Sequence, residues 1–253
     1  MTDLAVLAVG FGVIPLAAIG LYSLSDVVER HREMSWGLLV GILAFLGLSH
    51  SMALVLLNHS LFGEPAAASL VSFIGLVFGA SLAWVLLEGP FIRTEPNRIL
   101  WASVAFVGLH SFGDGLVLGA DFLGGFAPVI RVDTVTVSAT VVHRFVEGCI
   151  VVIPALAALW KGRSAFVVLT VSLVAIPAAY IPGWTYQAFG FTPTRSLVAL
   201  SLPTFLGAME AGLALLLLFR AFVRMASVDR GTRWLAWTVV GFIGIALVHF
   251  FVE

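Results

Sequence analysis

The chain has 253 residues, of which 60% are hydrophobic and only 11% are charged, and its mean hydropathy is +1.09. This composition excludes an ordinary soluble globular domain and indicates an integral membrane protein. The formal net charge of −1 provides no basic surface for nucleic acid, and a single cysteine, Cys149, excludes an internal disulfide.

Apolar segments long enough to cross a bilayer follow one another along the whole chain. A hydrocarbon core of about 30 Å requires about 20 apolar residues in a helix. The sequence predicts eight such segments, at 4–24, 35–57, 66–87, 99–122, 134–159, 165–182, 197–219 and 234–252. We therefore expect an all-α integral membrane protein, a bundle of eight transmembrane helices forming a single transmembrane domain over residues 1–253. The first segment follows the acidic Asp3, so we interpret it as a helix and not as a cleaved signal peptide.

Basic residues are concentrated in the loops after the first, third, fifth and seventh segments. These loops hold Arg30, Arg32, Arg93, Arg98, Lys161, Arg163, Arg220, Arg224, Arg230 and Arg233. By the positive-inside rule they face the cytoplasm, which predicts that both termini lie outside. The sequence thus predicts a multi-pass protein of the cell membrane, with the lipid bilayer as its surroundings.

Two related motifs place chemistry inside the fourth and fifth segments. His110 precedes Asp114 by four residues, and His143 precedes Glu147 by the same interval. Four residues is just over one helical turn, so each histidine shares a helix face with its carboxylate. Two imidazoles and two carboxylates form a ligand set that suits a divalent transition metal. Carboxylates at membrane depth are costly to bury, which favours a functional role.

The predicted topology brings these two motifs to the same depth. His110 lies about 11 residues from the cytoplasmic end of the fourth segment, or ~16 Å. His143 lies about 9 residues below the outer end of the fifth segment, hence ~16 Å above the inner face of a 30 Å core. The two histidines are therefore expected to meet near the membrane midplane, where transporters bind their substrates.

The motifs His-Ser-Phe-Gly-Asp-Gly at 110–115 and His-Arg-Phe-Val-Glu-Gly at 143–148 resemble the signatures of the ZIP family of divalent metal transporters. That family typically has His-Asn-x-x-(Asp/Glu)-Gly followed by His-(Glu/Asp)-x-Pro-(Glu/His)-Gly. Eight helices with both termini outside are similar to its architecture. The resemblance implies four ligands for the transported metal: His110, Asp114, His143 and Glu147. It also implies that the first, fourth, fifth and sixth helices move past a scaffold of the second, third, seventh and eighth.

The sequence departs from the family pattern in ways that indicate a divergent member. Ser111 replaces the asparagine, Arg144 replaces the second-motif acid, and the sixth segment has no carboxylate. A second metal is therefore not expected, and Arg144 either occupies its position or pairs with Glu210 in the seventh segment. We favour that pairing for Glu210 over metal ligation, because a buried arginine requires a partner.

Three other ionisable residues lie in or beside the segments. His50, in the outer half of the second segment, either lines an entry route or contributes to packing. Asp121 and His249 are predicted near the outer ends of the fourth and eighth segments, where solvation would account for both.

The leading hypothesis is a transporter, not an enzyme, that moves a divalent metal towards the cytoplasm by alternating access. Zinc is the expected substrate, with iron, manganese and cadmium as alternatives. A related scaffold blocked by Arg144 is one alternative function, and an intramembrane metal-dependent hydrolase is another. A haem protein with His110 and His143 as axial ligands would leave both carboxylates unexplained. A homodimer is compatible with the sequence.

Overall fold

The computed structural model of the chain describes residues 19–61, 65–123, 134–160, 169–170, 197–228 and 231–252. Every regular element in these residues is helical, which confirms the prediction of an all-α protein. The helices are α1 (Ser25–Arg30), α2 (Arg32–Leu61), α3 (Pro65–Glu88), α4 (Glu95–Leu123), α5 (Thr134–Ala157), α6 (Leu197–Val228) and α7 (Arg233–Val252).

Helices α2 to α5 occupy the second to fifth predicted segments, and α6 and α7 occupy the seventh and eighth. Of the first predicted segment, residues 19–23 are helical, and residues 4–18 lie outside the described residues. The sixth segment, apart from residues 169–170, also lies outside them.

The C-terminus of α5 comes two residues before the predicted end. Leu159 adopts a left-handed conformation with φ of 63°, and the Trp160 N–H donates to the Ala155 carbonyl at 3.0 Å. The Leu159 N–H donates to the Leu156 carbonyl at the same distance, which completes a Schellman motif. This motif satisfies carbonyl groups that the end of the helix would otherwise leave without a donor.

Four helices in the described part of the chain are long and apolar enough to cross a membrane. The qualifying stretches are Arg32–Ser49 in α2, Ser69–Glu88 in α3, Thr204–Ser227 in α6 and Arg233–Phe250 in α7. Large apolar side chains on α3 and α7 remain exposed outside the protein core, among them Phe73, Trp84 and Phe250. This distribution is typical of a protein whose outer surface faces lipid.

The same four helices pack against one another as two close pairs, and we call them the scaffold. In the α2–α7 pair, a side-chain carbon at Gly41 would collide with the backbone carbonyl of Thr238. In the α3–α6 pair, a side-chain carbon at Gly79 would collide with the backbone of Met209. Small residues at such crossings allow helix backbones to approach closely in membranes. Helix α2 also packs extensively along α6, which joins the two pairs.

Helices α4 and α5 pack against each other and against this scaffold. Helix α4 contacts α3 and α6, whereas α5 contacts α2 and α7. Fully buried apolar side chains fill their contacts, including Phe106 and Val107 on α4 and Ile150 and Val151 on α5. The interface between α4, α5 and the scaffold is therefore the core of the described structure.

Ion pairs gather the ends of several helices into one group, which we call the basic end. Arg220 lies 3.2 Å from Glu88 and 3.5 Å from Glu95, and Arg224 also lies 3.5 Å from Glu95. These contacts join the end of α3, the start of α4 and the end of α6. The two arginines belong to the basic set from which the sequence predicts the cytoplasmic side.

Candidate metal centre

The two motif histidines meet in the interior, as the predicted topology requires. The rings of His110 on α4 and His143 on α5 are stacked with a centroid distance of 5.9 Å and an interplanar angle of 23°. Each histidine is 8% exposed. Helices α4 and α5 therefore bring together two imidazoles that are 33 residues apart in the sequence.

Glu147 lies against both rings through a single carboxylate oxygen. Its Oε1 atom is 2.6 Å from Nε2 of His143 and 2.9 Å from Nε2 of His110. The contact with His143 follows directly from the four-residue spacing on α5, whereas the contact with His110 crosses between helices. The three potential ligand atoms all lie within 4.8 Å of one another, and all three residues are buried. This group could hold a metal ion.

The contacts within this group are short, but they are poorly directed as hydrogen bonds. Within the described residues, Oε1 of Glu147 accepts no hydrogen bond of acceptable geometry, although two ring nitrogens lie within 2.9 Å. A buried carboxylate oxygen normally accepts hydrogen bonds, because leaving it unsatisfied costs about 1–3 kcal/mol. Two imidazole nitrogens and one carboxylate oxygen within 4.8 Å of one another fit the ligand set of zinc and similar metals.

Arg144 engages the other oxygen of the same carboxylate. Its guanidinium donates a hydrogen bond of 2.6 Å to Oε2 of Glu147, three residues along α5. The carboxylate is therefore divided, with Oε1 towards the two imidazoles and Oε2 towards the cation. In this arrangement Arg144 lies on the opposite oxygen from the three potential ligand atoms.

Glu210 on α6 contacts the centre from the scaffold. Its Oε2 atom accepts a hydrogen bond from Nδ1 of His110 at 3.1 Å. A side-chain carbon at Gly113 would lie 3.2 Å from Oε1 of Glu210, so this glycine provides space for the carboxylate beside α4. The sequence predicted that Glu210 would be functional and would pair with Arg144. The contact that the structure describes for it is with His110, a predicted metal ligand, and the pairing with Arg144 stays a prediction.

His249 on α7 was not predicted to belong to this centre. It is only 6% exposed, so the expectation that solvation explains this histidine was wrong. Its ring lies 4.8 Å from that of His143 and 4.9 Å from that of Phe45, measured between centroids. His249 therefore extends the centre by a residue from the eighth predicted segment.

Counting from the basic end places His249 at the depth of the centre. The ring contact of Phe222 with Trp234 places the start of α7 beside the end of α6. His249 is 16 residues beyond Arg233, hence ~24 Å along α7, and His110 is 15 residues beyond Glu95, hence ~22 Å along α4. Similar depth from the same end of the bundle therefore groups His249 with His110.

Of the remaining predicted site residues, the structure describes the side chain of Ser111 but not those of the others. Ser111 is fully buried, and within the described residues its hydroxyl has no hydrogen-bond partner. Asp114 lies within α4, but its side chain is outside the described part of the structure, as are those of Asp121 and His50. The prediction that Asp114 is a ligand therefore stays a prediction.

The fold and this centre together define an all-helical protein with apolar, membrane-length helices and a buried histidine–glutamate group that could bind a metal ion. Comparison of the sequence with protein-family models and with curated proteins finds no match. The resemblance to the ZIP family thus depends on the two motifs and on the predicted topology.

Proposed function

We propose that this protein is a divergent ZIP-like transporter that moves a divalent metal ion, with zinc as the preferred substrate, towards the cytoplasm. The observation that carries the proposal is the convergence of His110, His143 and Glu147 within 4.8 Å in the buried interior. A metal-ligand group enclosed by apolar helices is costly to maintain in a membrane protein, and such groups mark ion pathways.

The packing of the helices supports a transport role for this location. Helices α4 and α5 carry the three potential ligands, whereas the closely packed scaffold helices pack against α4 and α5. In the family that the motifs resemble, the corresponding helices carry the ion past such a scaffold. Alternating access then requires α4 and α5 to move against α6 and α7, while the glycine-dependent contacts at Gly41 and Gly79 hold the scaffold together.

The ligand types favour zinc among the divalent metals. Zinc binds imidazole nitrogen and carboxylate oxygen, usually through four ligands in a tetrahedral arrangement. The described residues supply three of them, and Asp114 is the proposed fourth. Iron, manganese and cadmium remain alternative substrates, because geometry and availability decide metal choice more than affinity does.

One observation favours a second function, a ZIP-like scaffold that does not transport. The guanidinium of Arg144 lies 2.6 Å from the carboxylate of Glu147, so a fixed positive charge adjoins the site where a cation would bind. This charge would oppose the binding of a metal cation at the same carboxylate. A protein blocked in this way would retain the fold and the histidine pair without moving metal.

Uptake of radioactive zinc into proteoliposomes distinguishes the two functions. The proteins to compare are the wild type, His143→Ala, Arg144→Glu and a matched control, His31→Ala, whose histidine is exposed between α1 and α2. Transport through this centre predicts uptake by the wild type and by the control, and its loss in His143→Ala. Uptake that appears only in Arg144→Glu would identify the blocked scaffold. Absence of uptake in every protein would refute transport.

A further inference from the structure

Both histidines of the centre are contacted by side chains that belong to the scaffold. Glu210 from α6 lies against His110, and His249 from α7 lies against His143. The sequence motifs do not include either residue. Their contacts differ in kind, since one is a hydrogen bond and the other is a contact between rings.

The hydrogen bond from His110 to Glu210 fixes the proton of a neutral imidazole. A neutral imidazole carries one N–H, and here the Nδ1 atom lies 3.1 Å from the Glu210 carboxylate. With the proton on Nδ1, the lone pair is on Nε2, the atom that lies 2.9 Å from Glu147. A carboxylate behind a ligand histidine is a recurrent means of orienting the ring for a metal.

His143 is oriented in another way. Its Nδ1 atom is buried and, within the described residues, forms no hydrogen bond, so its ring lacks the usual support of a ligand histidine. The ring of His249 lies against it with an interplanar angle of 41°. Contact between the two ring surfaces therefore limits rotation of the His143 imidazole.

His249 is itself held in place. Its Nδ1 atom lies 3.2 Å from the carbonyl of Ile245 one turn earlier in α7, to which it donates a hydrogen bond. Its ring also makes an edge-type contact with Phe45 from α2, with an interplanar angle of 62°. A ring fixed by its own helix and by a neighbouring scaffold helix is a rigid support for His143.

We propose that Glu210 and His249 are positioning residues, which α6 and α7 supply to hold the rings of His110 and His143 in their metal-binding orientation. The inference rests on the metal binding of the proposed function, but not on transport. It implies that affinity for the ion is greatest while α4 and α5 lie against α6 and α7. Movement of these helices away from the scaffold would remove both supports together and lower the affinity.

The test is a zinc titration of the full-length protein, purified in detergent, in competition with a chromophoric chelator. Removal of a supporting group typically weakens metal binding by about 10-fold to 100-fold, and we expect Kd increases of that size for Glu210→Ala and His249→Ala. Glu210→Gln keeps a hydrogen-bond acceptor, and His249→Phe keeps a ring against His143. Each should recover most of the affinity that its alanine variant loses. His31→Ala, at an exposed histidine, should bind zinc as the wild type does.

Three results separate the possible failures. Zinc affinities of the alanine variants within about threefold of the wild type would overturn the positioning roles while leaving metal binding intact. Conservative variants that bind as poorly as the alanine variants, yet unfold at the wild-type temperature without zinc, would also overturn them. No zinc binding by the wild type would refute the metal centre itself, and the positioning roles with it.

Discussion

Replacing Glu147 with glutamine removes the negative charge on which three other side chains converge. The substitution preserves side-chain volume and one oxygen, but an amide is a far weaker zinc ligand than a carboxylate. Structural zinc sites with four ligands bind with about 10–16 kcal/mol, or about 2.5–4 kcal/mol for each ligand. Loss of one ligand should therefore raise the Kd for zinc by about two to three powers of ten.

The assay is again competition with a chelator, with Glu29→Gln as the matched control, because Glu29 is exposed on α1. The control should retain wild-type affinity. Thermal unfolding without zinc reports on the folded state, since the substitution also replaces the carboxylate partner of Arg144 by a neutral amide. A folded Glu147→Gln protein whose Kd stays within threefold of the wild type would refute the assignment of Oε1 as a ligand.

Three further predictions concern stability, each measured by thermal unfolding. Gly79→Ala should destabilise the protein by about 1–3 kcal/mol, because its new carbon would meet the α6 backbone. Gly244→Ala should not destabilise it, because no atom lies within 4 Å of the new carbon. Equal losses of stability in the two variants would contradict the close α3–α6 contact. Glu95→Gln should cost less than about 1 kcal/mol, and less still at high salt, because its ion pairs with arginine are partly exposed. Leu159→Gly should stabilise the protein by about 1 kcal/mol, because glycine adopts a positive φ without strain; a decrease in stability would show that the leucine side chain contributes more than the backbone gains.

The local part of the centre could be predicted from sequence because helical geometry alone determines it. A spacing of four residues places His143 beside Glu147, and the structure describes that contact at 2.6 Å. A spacing of three residues likewise allows Arg144 to reach Glu147 on the same helix. Short-range pairs on one helix require no knowledge of how the helices pack.

The scaffold contacts could not be derived in the same way. Glu210 and His249 reach the histidines across helix interfaces, and the rotation of each helix about its axis decides which residues face inward. Weak amphipathicity in long apolar helices gives little indication of that rotation, because both lipid-facing and core-facing residues are hydrophobic. Depth along the helix could be counted from sequence, but the facing direction depended on the packing itself.

The two oxygens of the Glu147 carboxylate have different partners, and this arrangement indicates how Arg144 affects the centre. Unit charges 4 Å apart interact by about 4 kcal/mol at an effective dielectric constant of 20, and the repulsion of a doubly charged ion is about twice as large. The carboxylates of Glu147 and Glu210 oppose that repulsion, so Arg144 reduces the attraction of the centre for a cation without occupying the Oε1 side. A transport site must bind its ion weakly enough to release it. If the protein transports zinc, Arg144→Glu should therefore bind zinc more tightly and release it more slowly, whereas in a blocked scaffold the same change should create uptake where there was none.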